Sequence, residues 1–167
     1  MRQRKYGILS LDVSAVSTGW TFSVKNRLKA YGIIKTSPRK GRAERLLVFK
    51  NEIKRLLAKY KPSHVVVENG YLGRNVKTLK VLCEFAGVAK VCCMDILGIE
   101  PFIMNVNTTY SHFGGKRKED LFNIVVDLYD LKDFEFKKHN DITDACAQSV
   151  CFYEQELKKG KKNETKK

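Results

Sequence analysis

The sequence lacks the features that would place the chain in a membrane, in a secretory pathway or around structural zinc. No apolar run approaches the roughly 18 residues that a membrane-spanning helix needs, and no apolar signal segment follows the basic start MRQRKYG. The five cysteines include no CxxC pair and no cysteine–histidine pair at zinc spacing. This favours buried thiols in a reducing compartment. We therefore expect a cytoplasmic, single-domain protein with no membrane partner and no small-molecule cofactor.

Acidic residues are scarce relative to basic ones. The 167 residues contain 32 lysines and arginines against 18 aspartates and glutamates, a net charge of +14. A basic domain of this kind favours polyanions and is typical of nucleic-acid binding. The last stretch, LKKGKKNETKK, contains six lysines and one glutamate. We therefore expect a folded domain at 1–157 and a basic, disordered tail at 158–167.

Hydrophobic periodicity predicts an α/β fold with a five-stranded mixed sheet flanked by helices. Three short strands come first at the spacing of an antiparallel meander, and two strands then alternate with helices, as parallel strands do. The predicted strands span 6–12, 19–25, 29–36, 63–68 and 101–107. The predicted helices span 43–60, 75–97, 118–131 and 141–158.

Two apolar strands end in a carboxylate, and a third acidic segment opens the predicted last helix. Asp12 ends YGILSLD, and Glu68 ends SHVVVE. In NDITDAC, Asp141 and Asp144 lie three residues apart, on one face of the first helical turn. Ligand sites of open α/β sheets gather at the carboxyl ends of strands. Four carboxylates from three segments suit two magnesium ions, which at about 4 Å apart would support hydrolysis of a phosphodiester.

A simpler interpretation exists for one of these acids. Asp141 could interact with the dipole of the helix, with Asn140 as the N-cap. The interpretation does not extend to Asp144, which precedes the small residues ACA and would be costly to bury without a cation. A metal site of this kind would explain why a basic protein contains a local cluster of acids, because the lysines would bind the nucleic-acid backbone and the acids would bind metal.

Three segments together resemble the RuvC-type Holliday-junction resolvases, which have a ribonuclease H-like fold. The segment ENGYLGRNVKTLKVLCEFAGVAK (68–90) is similar to the family's segment without gaps. LSLDVSAVSTGW fits the family's first strand, and NDITDACAQS fits its closing Asp-x-x-Asp helix. The motifs come in the family's order, and the resemblance covers residues 6–155.

The resemblance implies a homodimeric endonuclease that resolves four-way or branched DNA by paired symmetric nicks. Asp12, Glu68, Asp141 and Asp144 would bind two Mg²⁺ ions per active site, for which Mn²⁺ could substitute. Lys118 would be catalytic or contact phosphate, and Tyr71 would wedge at the junction crossover. The other expected DNA contacts, which come partly from the resemblance and partly from local basic charge, are Arg74, Asn75, Lys116, Arg117, Arg39, Lys40 and Arg42. The helix after Glu68 carries a wide apolar stripe whose flank, at Lys80, Glu84 and Phe85, is expected to meet the partner subunit.

The chain departs from the family's pattern at two points. Val13 and Ser14 stand where bacterial members usually have Pro-Gly, which favours a divergent, phage-encoded member. The expected location is therefore the cytoplasm of a bacterial or phage-infected cell. Asn107 stands where the family has a second lysine, and we expect the phosphate contact of that lysine to move to Lys116 or Arg117.

Two other functions remain open from the sequence. One is a ribonuclease H-like nuclease that acts on flaps, branched DNA or RNA–DNA hybrids, and comparing cleavage of branched DNA with cleavage of a hybrid would separate it. The other is a non-catalytic junction-binding protein, for which magnesium would have no effect on product.

Overall fold

Five strands form one mixed sheet through the centre of the protein. The computed structural model describes residues 4–69, 75–115 and 117–158. The strands in chain order are β1 (Arg4–Asp12), β2 (Ser17–Val24), β3 (Arg27–Lys35), β4 (Pro62–Asn69) and β5 (Phe102–Asn105). They lie in the order β3-β2-β1-β4-β5. β2 is antiparallel to both of its neighbours, β1 and β3, whereas β4 is parallel to both of its neighbours, β1 and β5. The predicted five-stranded mixed sheet is confirmed.

One edge of the sheet collects four strand ends. Because β1, β3, β4 and β5 run in one direction, their carboxyl ends meet there, beside the start of β2. We call this the carboxyl edge. The loop that follows β3 is held against it, since the backbone N–H of Thr36 donates to the carbonyl of Val16 at 2.9 Å and the Arg45 guanidinium donates to the carbonyl of Ala15. The basic loop at 36–41 therefore lies next to the loop that follows Asp12.

Helices cover both faces of the sheet. They are α1 (Arg42–Tyr60), α2 (Val76–Leu97), α3 (Val106–His112), α4 (Lys118–Tyr129) and α5 (Phe136–Phe152), and α5 continues as a π-helical segment, Tyr153–Lys158. The side chain of Asn75 accepts hydrogen bonds from the N–H groups of Lys77 and Thr78 and so caps α2. In the part of the chain that the structure describes, no helix is long and apolar enough to cross a membrane.

The two faces of the sheet differ in chemistry. On the face toward α1 and α2, the buried side chains are apolar and include Leu9, Leu11 and Phe22. On the face toward α5, alternate positions of β1 and β2 carry buried hydroxyls. These bond to α5 in a set that we call the polar seam: Ser10 with Gln148, Thr21 with the carbonyl of Ala145, and Ser23 with Ser149. Buried polar groups cost free energy when unpaired, so the polar seam fixes where α5 lies along the sheet.

Two predicted boundaries are wrong at residues that the site depends on, while the remaining predicted ends differ from the structure by two residues or fewer when the π-helical segment is counted with α5. The last strand ends at Asn105 instead of 107, because the Asn105 side chain accepts the N–H of Asn107 at 2.9 Å and starts the unpredicted helix α3. The last helix begins at Phe136 instead of 141. Asn140 is therefore not an N-cap, and its side-chain amide donates to the carbonyl of Phe136 at 2.9 Å. Asp141 lies in the second turn of α5.

Two further expectations about single residues are wrong. Phe85 does not face a partner subunit, since it is fully buried against Phe49 with the ring centroids 5.1 Å apart. All five cysteines are free and four of them are buried as expected, but Cys83 is exposed. In the expected basic tail, Lys158 ends the π-helical segment, and 159–167 lie outside the described residues.

Candidate active site

The carboxyl edge brings two acids side by side. Leu11 of β1 pairs with Val67 of β4, so the next residues, Asp12 and Glu68, are neighbours across two parallel strands. The two carboxyl groups are close enough to affect each other's titration: the charge of Glu68 raises the pKa of Asp12, while a side-chain interaction with Asp12 opposes the rise in the pKa of Glu68. Rigid, buried strands thus fix the position of both carboxylates, as the sequence predicts for strand ends.

Helix α5 adds the third acid to the same cavity. Asp144 is mostly buried and lies with Asp12 and Glu68 on the wall of a cavity of about 120 Å³. The other residues that line the cavity are Val106, Thr109, Tyr110, Lys118, Leu121 and Gln148. The structure therefore brings three of the four predicted metal ligands, and the predicted catalytic lysine, to one place.

Asp141 lies beside this cavity and not on its wall. Its Oδ2 accepts a hydrogen bond from the Ser17 hydroxyl at 2.6 Å. It is still close enough for its charge to raise the pKa of Asp12 and of Asp144. Asp141 thus belongs to the electrostatic cluster, while its side chain is held by the start of β2.

Gly19 permits α5 to approach the sheet at this point. Gly19 pairs with Asp12 across β1 and β2. A Cβ atom at position 19 would lie 2.0 Å from the backbone carbonyl oxygen of Asp141, a distance at which atoms overlap. A residue without a side chain is needed here because the helix backbone takes the space. The spacing between Asp12 and the acids of α5 therefore depends on Gly19.

Burial and mutual repulsion raise the pKa values of the three acids that line the cavity. Burial raises the pKa of Asp12 well above its usual range, and the charges of Glu68, Asp144 and Asp141 raise it further. Burial and the charge of Asp144 raise the pKa of Glu68 to about 6, although hydrogen bonds from Asp12 and Gln148 oppose the rise. The pKa of Asp144 is also raised by burial, against the lowering effect of Lys118. The cluster therefore carries more negative charge than its surroundings offset.

Lys118 supplies a positive charge at the mouth of the cavity. It is the first residue of α4, its side chain is half exposed, and its Nζ lies 2.8 Å from Oδ2 of Asp144. Burial lowers the pKa of Lys118, but the hydrogen bond and charge of Asp144 outweigh this and leave the pKa raised. The ammonium group therefore stays charged at neutral pH.

The donor set fits a divalent cation in its chemistry. Oδ1 of Asp144 is buried and has no hydrogen-bond partner among the described residues. Together with Asp12 and Glu68 it offers hard oxygen ligands, which Mg²⁺ and related ions prefer. Within 4–69, 75–115 and 117–158, however, no three acidic, histidine or cysteine side chains already stand in an arrangement that encloses an ion. A bound metal thus requires the carboxylates, and Lys118 beside them, to adjust.

The predicted DNA contacts fall into three groups. Arg39, Lys40 and Arg42 are exposed at the carboxyl edge, where Lys40 pairs with Glu44 and Arg42 with Glu84. Two others already have local partners: Arg117 pairs with Asp120, and Asn75 caps α2. Tyr71, Arg74 and Lys116 lie outside the described residues. Asn107 is exposed on α3.

Sequence reasoning missed three residues around the cavity: Ser17, Tyr110 and Gln148. Ser17 and Gln148 each bond to a predicted ligand, and Tyr110 lines the cavity wall. For Gln148 a signal existed, because it follows Asp144 by four residues and so lies on the same helix face. Ser17 and Tyr110 carry no such signal, since the elements that hold them meet the acids only in the folded sheet.

Known proteins resemble this chain along most of its length. Residues 8–152 match the sequence model of a family described as "Crossover junction endodeoxyribonuclease RuvC". The protein of that name from Heliobacterium modesticaldum is 28% identical over 132 residues, which cover 75% of this chain and 79% of the relative. The one from Roseiflexus sp. is 24% identical over 151 residues, covering 86% of this chain and 88% of the relative.

Solved structures agree on the fold. Thermus thermophilus RuvC in complex with a Holliday junction substrate superposes with a TM-score of 0.77 at 19% identity, covering 90% of this chain and 96% of that one. The yeast mitochondrial Holliday junction resolvase Ydc2 gives a TM-score of 0.64 at 12% identity, covering 90% and 79%. The expected ribonuclease H-like fold is confirmed.

Proposed function

The chain belongs to the RuvC family of crossover junction endodeoxyribonucleases, and on this premise we propose that it resolves four-way DNA junctions at the cavity of Asp12, Glu68 and Asp144. The observation that supports this most is a partly buried carboxylate cluster at the edge of a sheet in a chain of net charge +14. DNA would be held by the basic surface, and the scissile phosphate would enter at the acids. The match to the family model confirms the predicted family resemblance, while a phage origin stays a prediction.

Metal-dependent hydrolysis suits the donor set. Enzymes of the family need a metal, and we propose two Mg²⁺ ions, replaceable by Mn²⁺, held by Asp12, Glu68, Asp141 and Asp144. Such ions activate the attacking water and neutralise charge at the leaving oxygen. The protein contributes fixed carboxylates on two strands and one helix. The unpartnered Oδ1 of Asp144 supports its place among the ligands.

Lys118 would act on the phosphate. Its ammonium group is charged, half exposed and at the mouth of the cavity. From this position Lys118 would bind a phosphate oxygen, where charge builds up during hydrolysis. We propose that Arg39, Lys40 and Arg42, at the same edge of the sheet, hold the backbone of a junction arm, and that Tyr71, Arg74, Asn75, Lys116 and Arg117 complete the DNA contacts.

A second copy of the chain would bind at α2. The outward face of α2 exposes Val91 and Met94, and a groove of about 750 Å³ lies between α1 and α2. Exposed apolar side chains of this kind mark interaction surfaces, and a two-fold dimer matches a two-fold junction.

Val91→Glu would place a charge in this interface. We expect wild type to sediment as a dimer and the variant as a monomer that keeps its fold; an unchanged dimer would contradict this surface.

A synthetic four-way junction tests the proposed function directly. The full chain is incubated with the junction with and without Mg²⁺, and cuts are mapped on all four strands. Paired symmetric nicks that need Mg²⁺ support resolution. Asp12→Asn and Glu68→Gln should abolish nicking and keep junction binding, and persistent cleavage by both variants would contradict the site.

Matched substrates separate the alternatives. A flap and an RNA–DNA hybrid of the same sequence are cleaved alongside the junction. Preferential cutting of the flap or the hybrid would favour a general ribonuclease H-like nuclease. Binding without any metal-dependent product would favour a non-catalytic junction-binding protein.

A further inference from the structure

Gln148 connects the carboxylate cluster to the interior of the sheet. It lies one turn after Asp144 on α5 and is only 1% exposed. Its Nε2 donates to Oε2 of Glu68 at 2.8 Å, and its Oε1 accepts from the Ser10 hydroxyl at 3.2 Å. Ser10 is fully buried on β1, two residues before Asp12 and on the same side of the strand. One chain of hydrogen bonds therefore joins the three elements that carry the acids.

The chemistry of this position suits a neutral amide. An ionised carboxylate only accepts hydrogen bonds, so the NH₂ group of Gln148 must face Glu68 and its carbonyl must face the Ser10 hydroxyl. A lysine or arginine would also donate to Glu68, but it would cancel charge that a cation needs. An apolar side chain would leave a buried oxygen of Glu68 with one donor fewer. Glutamine holds the carboxylate and leaves the charge of the cluster unchanged.

We propose that Gln148 is a positioning residue for the reaction: it fixes the orientation in which Glu68 presents its carboxylate to a divalent cation, and Ser10 fixes Gln148. The inference rests on the proposed metal-dependent function. Hydrogen bonds from surrounding residues commonly orient metal-binding carboxylates, and their loss typically costs about tenfold to a hundredfold in metal affinity or activity. Gln148 also lines the cavity, where its amide nitrogen bonds to Glu68 and its amide oxygen bonds to Ser10.

A purely structural role is the competing explanation, because Gln148 also belongs to the polar seam. The chain offers a matched control in that same seam. Ser149 is 1% exposed and bonds to Ser23 at 2.7 Å, and neither residue lines the cavity. Ser149→Ala removes a buried hydrogen bond between α5 and the sheet without touching Glu68.

The experiment measures Mn²⁺ binding by calorimetry on the full chain without DNA, and the Mg²⁺ concentration that gives half-maximal nicking. For Gln148→Met, which keeps the length of the side chain, we expect Mn²⁺ affinity to fall about tenfold and the Mg²⁺ requirement to rise by the same factor. The nicking rate at saturating Mg²⁺ changes less than this requirement, and junction binding without metal is unchanged. Ser10→Ala should also lower the Mn²⁺ affinity and raise the Mg²⁺ requirement, by smaller factors than Gln148→Met. Ser149→Ala should leave both quantities at wild-type values.

Two kinds of outcome would overturn the inference, one in the single variants and one in a double variant. The first is an unchanged Mn²⁺ affinity in Gln148→Met, or an equal loss in Ser149→Ala. The second is a further tenfold loss when Gln148→Met is added to Glu68→Gln, because a residue that acts through Glu68 has nothing left to orient there. If Gln148→Met does not fold, Ser10→Ala carries the same test. Since Mn²⁺ binding is measured without DNA, a protein that binds metal normally but leaves junctions uncut would contradict the proposed function and not this role.

Discussion

At the scale of single residues, the acidic side chains that line the cavity outnumber the basic side chain that contacts them. Asp12, Glu68 and Asp144 share the cavity with one contacting ammonium, that of Lys118. The pKa values of all three acids are raised, chiefly by burial. Without a cation the protein must either keep protons on these groups or bear the repulsion. The site is therefore a source of instability that a bound metal ion would relieve.

The raised pKa values predict how stability depends on pH. The pKa of Glu68 is about 6 in the folded protein against an ordinary value of 4.5, so the native state holds more protons between these values. Its free energy of unfolding should fall as pH rises through this window, by about 2 kcal/mol for this group. Denaturation in EDTA at a series of pH values measures the effect. Glu68→Gln should flatten the curve, and an equally steep curve in that variant would contradict the assignment.

Lys118→Met should separate metal binding from hydrolysis. Lys118 competes with a cation for Asp144, so removing it should raise Mn²⁺ affinity in calorimetry without DNA. The same change removes positive charge at the phosphate and should slow single-turnover nicking by about a hundredfold. Lys138→Met is a suitable control, because Lys138 pairs with Glu135 on the exposed start of α5. Parallel losses of metal binding and nicking in Lys118→Met would show that Lys118 only supports the fold.

At the scale of elements, the site depends on how closely α5 meets the hairpin of β1 and β2. The polar seam sets the position of α5 along the sheet, and Gly19 sets its distance from it. Ser17 then holds Asp141 at the start of β2. Two strands and one helix, each rigid by itself, thus carry acids from distant parts of the chain into one cluster.

Gly19→Ala should move this helix away from the sheet. The new methyl group cannot fit 2.0 Å from the Asp141 carbonyl oxygen, and overpacking of this kind costs typically about 1–3 kcal/mol. We expect a lower melting temperature and a weaker Mn²⁺ affinity, since Asp12 and Asp144 separate. Gly41→Ala is the control, because a Cβ there meets nothing within 4 Å. Wild-type melting and metal binding in Gly19→Ala would contradict this role for the glycine.

The sequence predicts these elements better than it predicts their ends. The strands before Asp12 and Glu68 are evident because apolar runs stop at an acid. The start of α5 is not evident from the sequence, because no side chain caps the helix. Glu135, the residue before Phe136, forms no side-chain capping hydrogen bond. The helix α3 is not evident from the sequence, because Asn105 is both the last residue of a strand and the N-cap of this helix. Gln148 could be placed on a helix face, but its bond to Glu68 joins residues 80 positions apart, which no local pattern contains.

At the scale of the whole molecule, basic charge surrounds an acidic centre. The net charge of +14 would repel a free cation from most of the surface, while it attracts DNA. The carboxyl edge combines both signs, with the acids partly buried and Arg39, Lys40 and Arg42 exposed at the same edge. We therefore expect the basic residues to supply most of the affinity for DNA and the acids to carry out catalysis.

Junction binding should depend steeply on salt. The logarithm of the dissociation constant rises with the logarithm of salt concentration, in rough proportion to the phosphates neutralised. Replacing Arg39, Lys40 and Arg42 by glutamine should lower that slope by about 3. The control replaces Lys29, Arg55 and Lys59, toward the opposite edge of the sheet, and should leave the slope closer to wild type. Titrations in Mg²⁺-free buffer at several salt concentrations measure it, and equal slopes for both triple variants would contradict a DNA contact at 36–42.

The hydrogen bond between Ser10 and Gln148 spans 138 residues, and this separation has a consequence for protein synthesis. A ribosome makes Asp12 well before Asp144, so a growing chain holds an incomplete set of acids until α5 has emerged and docked. A chain in which α5 has not yet been made is therefore expected not to nick DNA. A chain stopped before Phe136 should bind no Mn²⁺ and leave junctions intact, and nicking by that fragment would contradict the inference.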